Sequence, residues 1–238
     1  RVASEGIVLS RVAQDGNFGV MVEVNSETDF VARDENFLTF VNEVLDQAFL
    51  HPGASVDSLL AEGLEATREA LVQKIGENIR VRRIERLQVD DSNMGIIETY
   101  VHSNNRIAVL LALRGGDSAL GKDIAMHVAA VNPLVVSAKE VPEEMLARES
   151  EIYSAQARES GKPEEIIAKM INGRLKKYVA EVSLLEQPFV KNPDLTIKAL
   201  LKEAGADVVS FVRYELGEGI EKEEVDFATE VAAQLESS

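Results

Sequence analysis

The residues able to do chemistry are few in kind. The chain has His51, His102 and His127 as its only histidines, together with 41 acids and no cysteine. No histidine has a second histidine or an acid at a metal-ligand interval. His102 precedes Ser103, but a Ser–His neighbour pair lacks the strand–turn–helix elbow that activates a nucleophile. His51 sits beside Pro52-Gly53 and reads as a helix-end residue. His127 lies inside Ile124-Ala125-Met126-His127-Val128-Ala129-Ala130 and reads as a packed or surface-tethered imidazole. The acids Glu143-Glu144 and Glu221-Lys222-Glu223-Glu224 suit first helical turns, where they complement the helix dipole. A carboxylate-pair hydrolase stays open only in the sense that acids abound. No phosphate-cradling loop is present, and Gly217-Glu218-Gly219 carries an acid where a phosphate would approach. The expectation is therefore no catalytic residue, no metal and no cofactor.

What remains is a corner suited to touching. Glu23-Val24-Asn25-Ser26-Glu27-Thr28-Asp29-Phe30-Val31-Ala32 runs from an alternating strand into a helix, and its corner offers an acid beside a large aromatic. Such corners, held by rigid elements, often carry function. The alternative is structural: Ser26, Thr28 or Asp29 caps the coming helix, and Phe30 staples its first turn or enters the core. Ile75-Gly76 has the same double reading, as a helix end with a capping glycine. Phe189-Val190, between Pro188 and Pro193, places apolar residues on a restrained, exposed-looking loop that suits a partner pocket.

The elements that must position these residues follow from periodicity. Residues 6–13 and 17–24 alternate as two strands around the turn Gln14-Asp15-Gly16-Asn17. Phe37, Phe40, Val41, Val44, Leu45 and Ala48 recur at helical spacing over 34–49. A second helix is expected over 56–75 and a strand over 78–89. The plan then repeats, with a hairpin of 95–102 and 106–113 turned by Ser103-Asn104-Asn105, a helix over 118–131 and a strand over 207–216. Asn17-Phe18-Gly19-Val20-Met21-Val22 is locally like Asn105-Arg106-Ile107-Ala108-Val109-Leu110, and Arg83-Ile84-Glu85 is like Arg213-Tyr214-Glu215. The two intervals are 66 and 108 residues, and the surplus of 42 falls in a helical hairpin at 142–187. Its second helix carries Ile171, Leu175, Tyr178, Val182 and Leu185 at steps of four and three, the seam of a coiled coil. A short helix is expected over 195–204. A last amphipathic helix with Phe227, Val231 and Leu235 closes the chain.

These readings give an α+β fold of two related subdomains, each of antiparallel strands packed with helices, with an inserted antiparallel coiled-coil hairpin and a C-terminal helix. The expected domains are 1–89 for the N-subdomain, 90–141 with 188–217 for the C-subdomain, 142–187 for the hairpin and 218–238 for the C-terminal module. Composition bounds the partners. The 238 residues are 45% hydrophobic and 28% charged, with a net charge of −16, which repels phosphate backbones and anionic membranes. The densest basic run, Arg80-Val81-Arg82-Arg83 with Arg86, would be split between two faces of a strand. No apolar run approaches the roughly 20 residues that span a bilayer. A protein partner with basic patches fits better than nucleic acid or membrane. Starting at Arg1 rather than Met, the chain reads as a trimmed one.

The corner segment resembles the signature of the bacterial translation elongation factor Ts family. So do Lys74-Ile75-Gly76-Glu77-Asn78-Ile79, the His127 segment, Gly161-Lys162-Pro163, Gln187-Pro188-Phe189-Val190 and Gly217-Glu218-Gly219-Ile220-Glu221-Lys222, in family order over nearly the whole chain. The resemblance implies a cytoplasmic, non-enzymatic guanine-nucleotide exchange factor for elongation factor Tu, with no small-molecule substrate of its own. It implies that Phe30, with Asp29 beside it, wedges between helices of the partner's nucleotide domain and disturbs the magnesium site. It implies contacts also from Ile75, Gly76 and His102, with Val190 facing another domain of the partner; the next position, often apolar in the family, is Lys191 here. The family begins with a small helical domain, UBA-like and bearing a Thr-Gly-Ala-Gly-like motif. Nothing similar precedes Val2, so the resemblance implies a core region with reduced exchange activity. The alternative is a scaffold that holds elongation factor Tu in a larger complex without exchanging its nucleotide.

Overall fold

The computed structural model describes residues 1–90 and 95–221. The helix expected around Phe227, Val231 and Leu235 lies outside the described residues. By its contacts the chain divides into two units, one of Arg1–Val8, Val22–Ile84 and the chain from Glu215, the other of Leu9–Met21 and Glu85–Tyr214.

Strands β1 (Glu5–Val12), β2 (Phe18–Ser26) and β3 (Arg80–Gln88) form one sheet in the order β1-β2-β3. Strands β4 (Gly95–Val101), β5 (Ile107–Arg114) and β8 (Asp207–Glu215) form another in the order β4-β5-β8. In each sheet a hairpin is joined on its second strand by a strand that returns from far along the sequence. The internal likeness read from short segments is thus a likeness of topology.

In the first unit, helix α1 (Glu35–Leu50) buries Phe37, Phe40, Val41, Val44, Leu45 and Ala48, the stripe its spacing demands. Asp34 is its cap, accepting from the N–H groups of Asn36 at 2.8 Å and Phe37 at 3.2 Å. The single helix expected over 56–75 is interrupted. It comprises α2 (Val56–Leu59), a widened turn over Leu60–Leu64 and α3 (Glu65–Ile75). Gly63 has φ +132°, a conformation that side chains with a Cβ resist, and the i→i+5 turn absorbs it.

Two members of the basic run of β3 reach one partner. Arg82 and Arg83, though consecutive, both bond the fully buried carboxylate of Glu23. Their long stems let adjacent guanidinium groups converge where shorter side chains would diverge. Glu23 also accepts from the Gly217 N–H at 2.8 Å and from Asn25 Nδ2 at 3.0 Å. Burial alone would raise the Glu23 pKa, but the bonds from Gly217, Asn25 and Arg83 outweigh it and hold the carboxyl below its ordinary range. Arg82 and Arg83 are therefore part of the unit's interior wiring rather than of a patch for polyanions.

In the second unit, α4 (Ser118–Val131) packs on β4 and β5. Val109, Leu111 and Leu113 of β5 meet Ile124, Val128 and Leu184 in one apolar core. Helices α5 (Glu143–Arg158) and α6 (Glu164–Val182) form the hairpin, turned at Gly161 with φ +65°. Arg174 bonds Gln156 across it at 2.9 Å. Helix α6 stops at Val182, before Leu185, because Ser183 turns extended and the next residues bond backward: Leu184 N–H reaches the Val135 carbonyl at 2.9 Å and Leu185 N–H that of Val136 at 3.0 Å. The expected loop at 187–193 is a small two-stranded element, β6 (Pro188–Phe189) with β7 (Asn192–Thr196), leading into α7 (Ile197–Ala204).

Candidate functional site

Six of the residues singled out in the sequence have exposed or half-buried side chains or backbone, and each unit carries its own group. Asp29, Phe30, Ile75 and Gly76 belong to the first unit; His102 and Val190 belong to the second. Phe189, the remaining one, does not reach the surface.

Phe30 is 80% exposed. It is neither a core plug nor a staple. Asp29 is also exposed, with Arg33 at 3.7 Å, a distance that between two solvated side chains contributes little. The capping role weighed for Ser26, Thr28 and Asp29 falls to Asp34, because a short 3-10 turn over Val31–Arg33 intervenes before α1. Thr28 Oγ1 accepts the Val31 N–H at the start of that turn at 3.4 Å, and these residues build the corner. Ser26 Oγ donates to the Thr28 carbonyl at 2.9 Å.

The brace of this corner is Glu77. Its carboxylate accepts from the N–H of Glu27 at 3.2 Å, the N–H of Thr28 at 3.1 Å and Thr28 Oγ1 at 2.7 Å. Glu27 returns the favour, accepting from the Asn78 N–H at 2.8 Å. Two segments are thereby stapled reciprocally, the one that leads into Phe30 and the one that follows Ile75 and Gly76. Gly76 ends α3 in the left-handed conformation, φ +82°, with its N–H on the Val72 carbonyl at 2.8 Å. Glu77 was not singled out by sequence reasoning; its signal is an acid directly after a helix-ending glycine, facing a strand end rich in N–H groups.

In the second unit His102 opens the β4–β5 turn, its N–H bonded to the Ile107 carbonyl at 2.9 Å, while Asn105 takes φ +54°. Its exposed ring lies with Nδ1 3.1 Å from the Tyr100 hydroxyl. His102 and Val190 share the rim of one cavity of about 420 Å³, walled by Tyr100, Ile107, Met126 and Ala129 among others. Val190 is 43% exposed, whereas Phe189 is 6% exposed and belongs to the apolar core. The expectation that both would present their side chains is corrected for Phe189. β6 ends at Phe189, which packs into the core, and Val190 opens the turn to β7 with its side chain outward. Lys191 pairs with Asp123 of α4 at 2.9 Å and so lies against its own chain.

Below Val190 lies His127, fully buried. Its Nδ1 accepts the Val190 N–H at 3.1 Å, and its Nε2 lies 2.9 Å from Gln187 Oε1. Burial pushes its pKa down, against a smaller upward pull from Gln187, so the ring is kept neutral. Among the described residues no group of three or more histidines, cysteines or acids is placed to hold a metal ion. Among them, too, no helix is long and apolar enough to cross a membrane.

The family model described as Elongation factor TS matches residues 27–218. The chain is similar to the Elongation factor Ts of Hahella chejuensis, 60% identical over 235 residues that cover 99% of this chain and 80% of that protein. It is similar to that of Teredinibacter turnerae at 55% over 239 residues, covering 100% and 80%. The protein of the same name from Saccharophagus degradans is 56% identical over 238 residues, covering 100% and 81%.

Proposed function

The chain belongs to the elongation factor Ts family, and we propose that it promotes release of GDP from elongation factor Tu by inserting Phe30 into the partner's nucleotide domain. The observation that carries this reading is an aromatic side chain 80% exposed on a corner whose backbone is fixed by Glu77. An apolar ring held in water has lost the benefit of burial, and it recovers that benefit only in a partner. Asp29 flanks the ring, and Ile75 with Gly76 supply the adjoining surface. His102 and Val190 form a second contact, with Phe189 acting from beneath as the anchor of Val190.

An exchange factor makes and breaks no covalent bond. It needs only to bind the nucleotide-free partner more tightly than the GDP-bound one, and by reciprocity GDP then weakens its binding by the same factor. A wedge supplies that difference, since it occupies space that the partner closes around its magnesium and nucleotide. The protein works in the cytoplasm on this reading and touches no nucleic acid, in keeping with its charge of −16.

Fluorescent-GDP release from elongation factor Tu tests the proposal. Phe30→Ala is expected to cut the stimulated release rate roughly 30-fold, the scale of losing about 2 kcal/mol at an aromatic hot spot, with folding stability changed by no more than about 0.5 kcal/mol. Equal release and equal binding by the variant would overturn the wedge. Tight binding by the parent chain with no acceleration of release would instead identify a scaffold.

A further inference from the structure

The cavity rim in the second unit is held by an unusual bond. Val190 N–H does not pair with a strand carbonyl; it donates to His127 Nδ1 at 3.1 Å. A backbone N–H can only donate, so Nδ1 must carry the lone pair and the proton must sit on Nε2. Gln187 completes the chain of donors. Its Nε2 donates to the Glu181 carbonyl at 2.7 Å, which leaves Oε1 to accept from His127 Nε2 at 2.9 Å. Every donor meets an acceptor in one direction only, from Val190 through the imidazole and Gln187 to the carbonyl at the end of α6. The neighbouring Phe189 ring lies in the core with its centroid 6.1 Å from that of His127. The tip of the β6–β7 element is thus tied from below by one buried imidazole and carries Val190 on its outer side.

We infer that His127 is a positioning residue for docking: its neutral, Nε2-protonated imidazole fixes Val190 at the rim of the His102 cavity, where the proposed partner would meet it. The inference rests on the reading of Val190 as a contact to elongation factor Tu. A doubly protonated ring would turn Nδ1 into a donor facing a donor and release the tip. Burial of the ring works against that state.

Three measurements on the full chain test it. In the unaltered protein, ¹⁵N spectra of the His127 ring should show a bare Nδ1 and a protonated Nε2; a proton on Nδ1 overturns the assignment without any variant. His127→Leu should lower hydrogen-exchange protection of the Val190 amide about tenfold or more and weaken binding to nucleotide-free elongation factor Tu about tenfold, the scale of coupling between residues in contact. His127→Asn, which keeps an acceptor near the Nδ1 position, should restore part of both. In the His127→Leu background, Val190→Ala should add less than about twofold, since both changes remove the same contact. Additive losses overturn the positioning role, as does unchanged protection in His127→Leu. If protection is lost but Val190→Ala binds as the parent does, the tie stands and the contact reading beneath it falls, which overturns the docking role by a separate route.

Discussion

At the scale of single residues, the proposed wedge depends on an acid whose carboxylate is turned to the chain's own backbone. Glu77 satisfies two backbone N–H groups and one hydroxyl of the Glu27–Thr28 corner. Glu77→Gln removes the charge that strengthens these three bonds, and its NH₂ group keeps a partner only if the Thr28 hydroxyl turns to accept. The expected cost is about 1–2 kcal/mol of corner order, read as a lowered GDP-release rate, with the Val190 amide protection unchanged because that bond lies in the other unit. A Glu77→Gln chain that exchanges nucleotide as fast as the parent would remove Glu77 from the site. The sequence made Phe30 and Asp29 visible, since an acid–aromatic pair at a strand–helix corner is a local pattern. It left Glu77 unseen, because its partners lie about 50 residues away in sequence and only the folded loops bring them together. The cap was misjudged for a related reason: a 3-10 turn of three residues separates the corner from α1, which is capped by Asp34. Phe189 and Val190 look alike as residue types, and what separates them is that the pairing with β7 ends β6 at Phe189 and leaves Val190 in the turn beyond it.

At the scale of elements, periodicity located the strands and the amphipathic stripe of α1 because apolar spacing is a local property. It missed the break in the second helix, where Gly63 sits inside an otherwise helical pattern and the alternative conformation depends on the turn as a whole. Gly76 shows how an element end and a functional surface are the same object. An added Cβ at Gly76 would meet nothing within 4 Å, yet φ is +82°. The only penalty of Gly76→Ala is then the left-handed backbone, about 1 kcal/mol. For a chain of this size that corresponds to roughly 2–4 °C in the calorimetric midpoint. The relaxed helix end should also misplace Ile75, so release of GDP should slow further than the stability change explains. A midpoint equal to the parent's would show that α3 can end differently at no cost.

At the scale of the molecule, duplication was legible in short likenesses and in the 42-residue surplus, and it recurs as two sheets of matching order. The first sheet has a feature that pattern alone could not disclose, the burial of Glu23 inside a strand. Strand periodicity marks position 23 as one face of an alternation, but the counter-charges come from Arg82 and Arg83 of β3, with a further donor in the Gly217 N–H. The consequence appears in acid. Burial raises the carboxyl pKa, the bonds from Gly217, Asn25 and Arg83 lower it by more, and the folded value ends below the ordinary 4.5. The unfolded chain therefore binds the proton more readily than the folded one, so stability contributed by Glu23 is fully present above about pH 4.5 and drains as pH falls toward the folded value. Glu23→Gln should lose that segment of the pH dependence while costing about 3 kcal/mol at neutral pH, because Arg82 and Arg83 are left around an uncharged amide. Denaturant unfolding of both chains at a series of pH values between 3 and 7 gives the comparison. Parallel curves below pH 4.5 would mean that Glu23 titrates alike in the folded and unfolded chain, and that the arginines hold the sheet without it.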